Sequence, residues 1–281
     1  MLRQTYGLFQ IFDEAVFLAS LDQVYSNPLN TDHIYLCQLN LVLAIGMYLA
    51  TPEPGTREAA LIDDIRERYP NQSEVFYLNA KSLNDPLIGL EDGDTWSIQT
   101  LPLMAAYMIY RSKRNTAYSI LGRDIYPPST ISHLTVYTSL AIRTAYALGM
   151  HSEETLIIFP AEEQVSRKRL WRSLFIMDRL LAAYLGRPVA IAEEECSSEL
   201  LNLRANTFQQ SMHLGPDQFY LAALEATFRS AHVIGLILRK VYRQRRISTR
   251  LAQELANECK QWPENLTPAL HWRRASPNNR R

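Results

Sequence analysis

Glycine is scarce in this chain, with 10 in 281 residues. Folds made of strands and tight turns need frequent residues that tolerate turn geometry, so the scarcity argues against an all-β architecture. Cysteine is scarcer still. Cys37, Cys196 and Cys259 are far apart and form no C-x-x-C pair. A cysteine-built zinc site is thereby excluded, no disulfide framework is expected, and the odd thiol count suits a reducing compartment. Charge of one sign is missing too, because 29 Lys+Arg balance 29 Asp+Glu. Without a positive excess the surface as a whole is a poor grip for nucleic acid. Residues 1–19 do not read as a signal peptide, since Gln4, Gln10, Asp13 and Glu14 interrupt any apolar run. The most hydrophobic stretch, 34–50, contains Gln38 and Asn40 and is at the short limit for a bilayer span, so it is expected to be a core helix. The chain is expected to be soluble and intracellular, with no membrane partner. No G-x-S-x-G, H-E-x-x-H, G-x-G-x-x-G or phosphate-loop string occurs, and the six histidines are scattered, so nucleophilic and metal chemistry lack support.

What the chain does have is helical period between Pro and polar breaks. Hydrophobic residues make up 47% and charged residues 21%, a globular balance at odds with disorder. The spacing predicts helices over 6–25, 33–50 capped by Asp32, 57–68, 73–83 capped by Ser73, and from Thr95 with a kink at Pro102. Further helices are predicted at 115–121, 134–148, 161–185 closed by Gly186, 217–246, and from Ser248 to Trp262. The fold class read from this pattern is all-α, a single multi-helix domain of packed antiparallel helices over 1–270, with a basic tail at 271–281 that frays.

Residues 161–185 carry the most information. Glu163 and Arg167 form an i,i+4 pair in the favourable orientation. Trp171, Leu174, Phe175, Asp178, Leu181, Ala182 and Leu185 share one helix face, which places Asp178 on the apolar side. A carboxylate there is costly unless paired. Arg187, returned by the turn at Gly186 and held by Pro188, is the expected partner, against the blander alternative that Asp178 reaches a solvent edge.

In the same region the string Ala141-Ile142-Arg143-Thr144-Ala145-Tyr146-Ala147-Leu148-Gly149-Met150-His151 resembles the "A-I-R-x-A-x-x-L-G-L-H" signature of the fungal-specific transcription factor domain. Glu163 with Arg167-Lys168-Arg169-Leu170-Trp171 resembles its "E-x-x-x-R-R-R-L-W" turn. Asp178-Arg179 matches "L-D-R", and Leu185-Gly186-Arg187-Pro188 matches "L-G-R-P". Glu193, Glu194 and Glu195 stand where the family has an Asp-rich stretch. Trp96-Ser97-Ile98-Gln99-Thr100-Leu101 is similar to its "S-I-Q-x-L" helix, and Trp262 to Pro268 resembles its closing "W-x-x-x-L-P". The resemblance implies an all-helical, non-enzymatic regulatory domain of a nuclear transcription factor that controls transcription by RNA polymerase II. It implies a structural or regulatory signature at Arg143, Glu163, Arg167, Arg169, Trp171, Asp178, Arg179, Gly186, Arg187 and Pro188. In the family, DNA and zinc are bound by a separate N-terminal cluster of six cysteines, absent from these 281 residues, so no cofactor is expected in this chain and DNA is a partner only through that module. A small-molecule effector or a transcriptional co-regulator, and a homodimer, are the remaining partners expected. The family runs from "L-G" almost directly into "A-I-R", whereas residues 123–140 intervene here; an insertion, such as a retained intron, predicts loose packing for part of that stretch.

Two other constellations bear chemistry. Asp63-Asp64-Ile65-Arg66-Glu67 is a D-D-x-x-E string of the kind that binds magnesium and diphosphate in all-α prenyl-diphosphate enzymes, here using Asp63, Asp64 and Glu67. Such an enzyme needs a second metal motif, which the Pro86-broken stretch 84–91 does not supply, and a solvated amphipathic helix explains the string as well. Arg239, Lys240, Arg243, Arg245 and Arg246, continued by Arg250, make a basic cluster that suits either a nuclear-import patch or a solvated helix end. A generic helical interaction module is the third class that the sequence leaves open.

Overall fold

The structure is a computed structural model and describes residues 8–27, 31–83, 95–119, 128–198, 200–201, 215–242, 248–264, 266 and 270. The fold is all-α. The helices are α1 (Glu14–Ser26), α2 (His33–Leu49), α3 (Arg57–Arg68), α4 (Gln72–Leu83), α5 (Thr95–Ser119), α6 (Pro128–Ala147), α7 (Glu153–Leu156), α8 (Ala161–Leu185), α9 (Pro216–Ile237) and α10 (Thr249–Glu264). A 3-10 turn covers Glu193–Glu195, and a π turn, Leu238–Tyr242, continues α9. The chain divides into two compact units.

The first unit comprises residues 1–4 and 11–149. Its helices start where short polar side chains can satisfy the free amides of a first turn. Asp13 accepts from the amides of Ala15 and Val16, Asp32 from Ile34, and Thr56 from Ala59. Ser73, expected to cap α4, instead lies inside it and donates to the carbonyl of Ala44 at 2.8 Å, tying α4 to α2 in the core. Cys37 Sγ donates to the carbonyl of Ala80 at 3.3 Å, so α2 and α4 run antiparallel. Tyr77 stacks on Tyr107 of α5 with centroids 4.2 Å apart, and Arg111 pairs with Glu74 at 2.9 Å, which sets α5 antiparallel to α4. α5 continues through Pro102 to Ser119 and so takes in residues 115–119 of the separate helix expected at 115–121; residues 120 and 121 lie outside the described residues. α6 begins at Pro128, earlier than expected, and buries Tyr137 and Thr138; residues 123–127 of the expected insertion lie outside the described residues.

Burial pushes the Cys37 thiol up to about 12 from its ordinary 9.0. The folded group keeps its proton where the unfolded thiol has lost it. Its contribution to stability is therefore fully present below pH 9 and is lost as pH rises towards 12. Tyr35, whose hydroxyl donates to the carbonyl of Phe17, is pushed up to about 12 by burial, and then by Asp22, and acts in the same sense. Urea unfolding followed between pH 8 and 11 is expected to show falling stability, with a shallower fall in Cys37→Ala. Equal slopes in the two proteins would refute the assignment.

The second unit comprises residues 5–10 and 150–281. The early segment enters it through Gln10, whose amide donates to Ser173 Oγ at 2.8 Å and whose carbonyl accepts from the same hydroxyl at 3.0 Å. α8 supplies the core: Leu170, Trp171, Leu174, Phe175, Ile176 and Met177 are buried. α9 covers it with Ala222, Leu224, Phe228 and Ala231, and Phe175 meets Phe228 at 4.9 Å between centroids. This pair departs from the antiparallel packing expected. Arg172 and Phe175 face Phe228 while Arg179 faces Gly235, so α8 and α9 run in the same direction. The stretch Gln218–Val241 is long and apolar enough to cross a membrane by length and composition. It carries the Glu225–Arg229 ion pair and turns Ala222, Leu224, Phe228 and Ala231 inward.

Candidate functional site: an ionic clasp on helix 8

Gly186 takes φ 64°, the left-handed position that ends α8 and that an L side chain adopts only at a cost. The chain turns back, and residues 190–195 return along the last turns of the helix. Asp178 Oδ1 accepts from the amide of Ala190 at 2.9 Å, and Oδ2 accepts from the amide of Ile191 at 3.0 Å. The expected partner of Asp178 is thus corrected. The guanidinium that meets it belongs to Arg179, the next residue, whereas Arg187 and Pro188 are exposed on the turn. A turn that sends backbone amides to the carboxylate leaves the Arg187 side chain on the outside. Burial pushes the Asp178 carboxyl above the usual carboxylate range, opposed by the Ala190 amide, Arg179 and the Ile191 amide.

Arg179 is the hub and is fully buried. Nη1 donates to Asp178, while Nη2 donates to the carbonyl of Ile191 at 3.0 Å and to Glu193 Oε1 at 3.1 Å. Its guanidinium carbon lies 4.1 Å from the centroid of Phe175. Glu193 in turn accepts from Arg239 Nη2 at 2.8 Å, and Arg239 Nη1 reaches Glu194 at 2.9 Å. His232 Nδ1 stands 3.4 Å from Glu193 Oε2. Two cations and the carboxylates of Asp178 and Glu193 therefore alternate across α8, the acidic turn and the end of α9. Such alternation is what makes buried charge tolerable.

Gly235 lets the two helices approach. A Cβ at this position would lie 2.7 Å from Arg179 Nε, 3.1 Å from its Cδ and 3.2 Å from Glu193 Oε1. A glycine in mid-helix weakens the helix, and that cost was the one sequence signal that a close contact lay there. The other signals were partial: Glu193 lay in an acidic run, and Arg239 in a basic one. Arg239 is committed to the clasp, and Lys240 lies 3.9 Å from Glu254, which Arg250 also meets at 3.1 Å. Arg243, Arg245 and Arg246 lie outside the described residues.

The start of α8 holds a second knot. Arg167 is buried, donates to Glu163 at 2.9 Å and stacks 3.6 Å from the centroid of Phe159. Lys168 donates to Glu153 at 2.8 Å, and the Glu153 amide donates to Ser197 Oγ at 2.9 Å. Trp171 is fully buried next to His151, with 6.3 Å between ring centroids. Arg169 is half-buried, and its carbonyl accepts from Ser173. Arg143 is exposed on α6, in the first unit. Nothing favours the magnesium reading of α3. The helix buries no residue, Asp64 is paired with Arg68 at 2.7 Å, and among the described residues no group of three His, Cys, Asp or Glu side chains could hold a metal ion. Residues 84–91, the weak second motif, and the tail 271–281 lie outside the described residues.

The family described as fungal specific transcription factor domain matches residues 2–269. A transcriptional regulatory protein of Schizosaccharomyces pombe is 23% identical over 95% of this chain and 31% of its own length. Filamentous growth regulator 27 of Candida albicans is 26% identical over 94% of this chain and 30% of its own length. Transcription regulator galc of Aspergillus niger is 24% identical over 68% of this chain and 20% of its own length. The chain thus spans less than a third of each of these relatives. No solved structure matches.

Proposed function

We infer, from a chain that belongs to the fungal-specific transcription factor domain family, that it serves as the regulatory domain of a fungal transcription factor and controls transcription by RNA polymerase II. The observation that carries this reading is the family match over nearly the whole chain, together with relatives named as transcription regulators. On this reading the protein works in the nucleus and performs no catalytic step, and DNA is reached through a zinc-cluster module outside these residues. Its own part is to change shape. An effector or co-regulator acts by binding one arrangement of the helices more tightly than another. The clasp suits that role because it joins α8, the acidic turn and α9 through a few strong contacts that are made or broken together. The proposed import patch would use Lys240, Arg243, Arg245 and Arg246, with Arg239 held in the clasp.

The test is a reporter. The 281-residue chain is joined to an unrelated DNA-binding domain in a fungal cell and placed upstream of an RNA polymerase II promoter. Reporter output is expected to differ at least several-fold from that of the DNA-binding domain alone. Equal output, with the fusion shown to be folded and nuclear, would overturn the reading.

A further inference from the structure

The basic run after α9 leads into a serine that neither the clasp nor the regulatory reading uses. Arg245 and Arg246 stand three and two residues before Ser248. The two arginines are placed by sequence alone and lie outside the described residues, whereas Ser248 is described and exposed. The Ser248 hydroxyl accepts from the amide of Leu251 at 3.1 Å, and its carbonyl accepts from the amide of Ala252 at 3.0 Å, so Ser248 caps α10. The first turn of α10 holds no acidic residue. It does hold Arg250, whose side chain is 90% exposed and meets Glu254 at 3.1 Å. The positive end of the helix dipole and a guanidinium therefore lie together at a serine that is open to solvent.

Two arginines at this distance before a hydroxyl make the string R-R-x-S, the charge pattern selected by serine kinases whose substrate grooves are acidic. We propose that Ser248 is phosphorylated by a kinase of this arginine-directed class, and that the phosphate tightens the start of α10. In the transfer, Ser248 Oγ attacks the γ-phosphorus of a nucleoside triphosphate. The Oγ–P bond forms as the bond from that phosphorus to the β-phosphate oxygen breaks. The hydroxyl proton passes to the kinase's base, and nucleoside diphosphate leaves. The product carries about two negative charges at pH 7 and strong acceptor oxygens where the Leu251 amide already donates. A dianion at the start of a helix stabilises it, whereas at the other end it would repel the carbonyls. A second R-R-x-S string, Arg273-Arg274-Ala275-Ser276, is followed by Pro277 and lies outside the described residues. The proposal goes beyond the regulatory reading and does not depend on it, since it is tested on the purified chain.

The full chain is incubated with the catalytic subunit of cyclic AMP-dependent protein kinase and magnesium ATP, and the modified residues are mapped by mass spectrometry. Ser248 is expected to take up phosphate to near completion. Replacing Arg245 and Arg246 together by Gln is expected to slow that uptake many-fold. Ser248→Asn keeps a capping side chain but has no hydroxyl, and is expected to melt close to the parent while taking up no phosphate at this position. In a Ser276→Ala chain, phosphorylation of Ser248 is expected to raise the melting temperature by a few degrees at low salt, with the gain shrinking as salt is added. No uptake at Ser248, uptake confined to Ser276, an unchanged rate without the two arginines, or a phosphorylated chain that melts no higher than its parent overturns the proposal.

Discussion

Replacing Arg179 by Met is expected to destabilise the second unit by about 3–5 kcal/mol, the usual cost of stranding a buried partner. Methionine fills much the same volume, so packing on Phe175 is largely kept and the loss reports charge. Two carboxylates, Asp178 and Glu193, then face the site without their shared cation. Glu193 retains Arg239, and Asp178 retains the amides of Ala190 and Ile191, which limits the damage to one broken hub. Combining Arg179→Met with Asp178→Asn removes the stranded charge and is expected to cost less than the sum of the single changes. Denaturant unfolding of the four proteins in this cycle measures that coupling. A fully additive cycle would mean that Arg179 and Asp178 do not act on each other.

The second large effect is expected at Gly235. Valine there is expected to cost about 3 kcal/mol, at the upper end of what overpacking usually costs. The obstruction is the Arg179 Nε at 2.7 Å, and that guanidinium cannot swing away without losing Asp178, Ile191 and Glu193 together. Alanine makes the sharper comparison. In an open helix Gly→Ala stabilises by about 1 kcal/mol. At Gly235 the sign is expected to reverse, because even one methyl group enters the space that Arg179 occupies. A Gly235→Ala chain more stable than the parent in urea would show that the helices can separate freely.

Much of this was legible in the sequence. Period and caps gave 57–68 and 161–185 at the observed bounds, since those segments are isolated by Thr56 and Pro160 on one side and by Tyr69 and Gly186 on the other. The ends of α4, α5 and α6 were less legible because tertiary contacts override local signals. Ser73 spends its hydroxyl on Ala44 instead of on a cap, and α5 carries on through Pro102. The clasp was half legible. The apolar face predicted that Asp178 is buried and needs a partner, but period alone cannot show that a neighbour on the same helix turns inward beside it. The contacts of Glu193 with Arg179 and Arg239 join residues far apart in the chain, and no local pattern encodes them. Of the signature residues expected from the sequence, Asp178, Arg179 and Glu193 of the acidic run meet at one junction, whereas Arg187 and Pro188 are exposed on the turn.

The parallel course of α8 and α9 bears on how the protein is born. Two helices pointing the same way cannot close through a short hairpin, so Phe175 has to wait for Phe228, and Arg179 for Gly235, until the long intervening crossover has left the ribosome. During that interval the aromatic and aliphatic stripe of the earlier helix stands bare, a natural substrate for chaperones and a site where nascent chains can stick together. Residues 186–215 have to be made before those contacts can close, so the pace of synthesis across them sets how long that stripe stays bare.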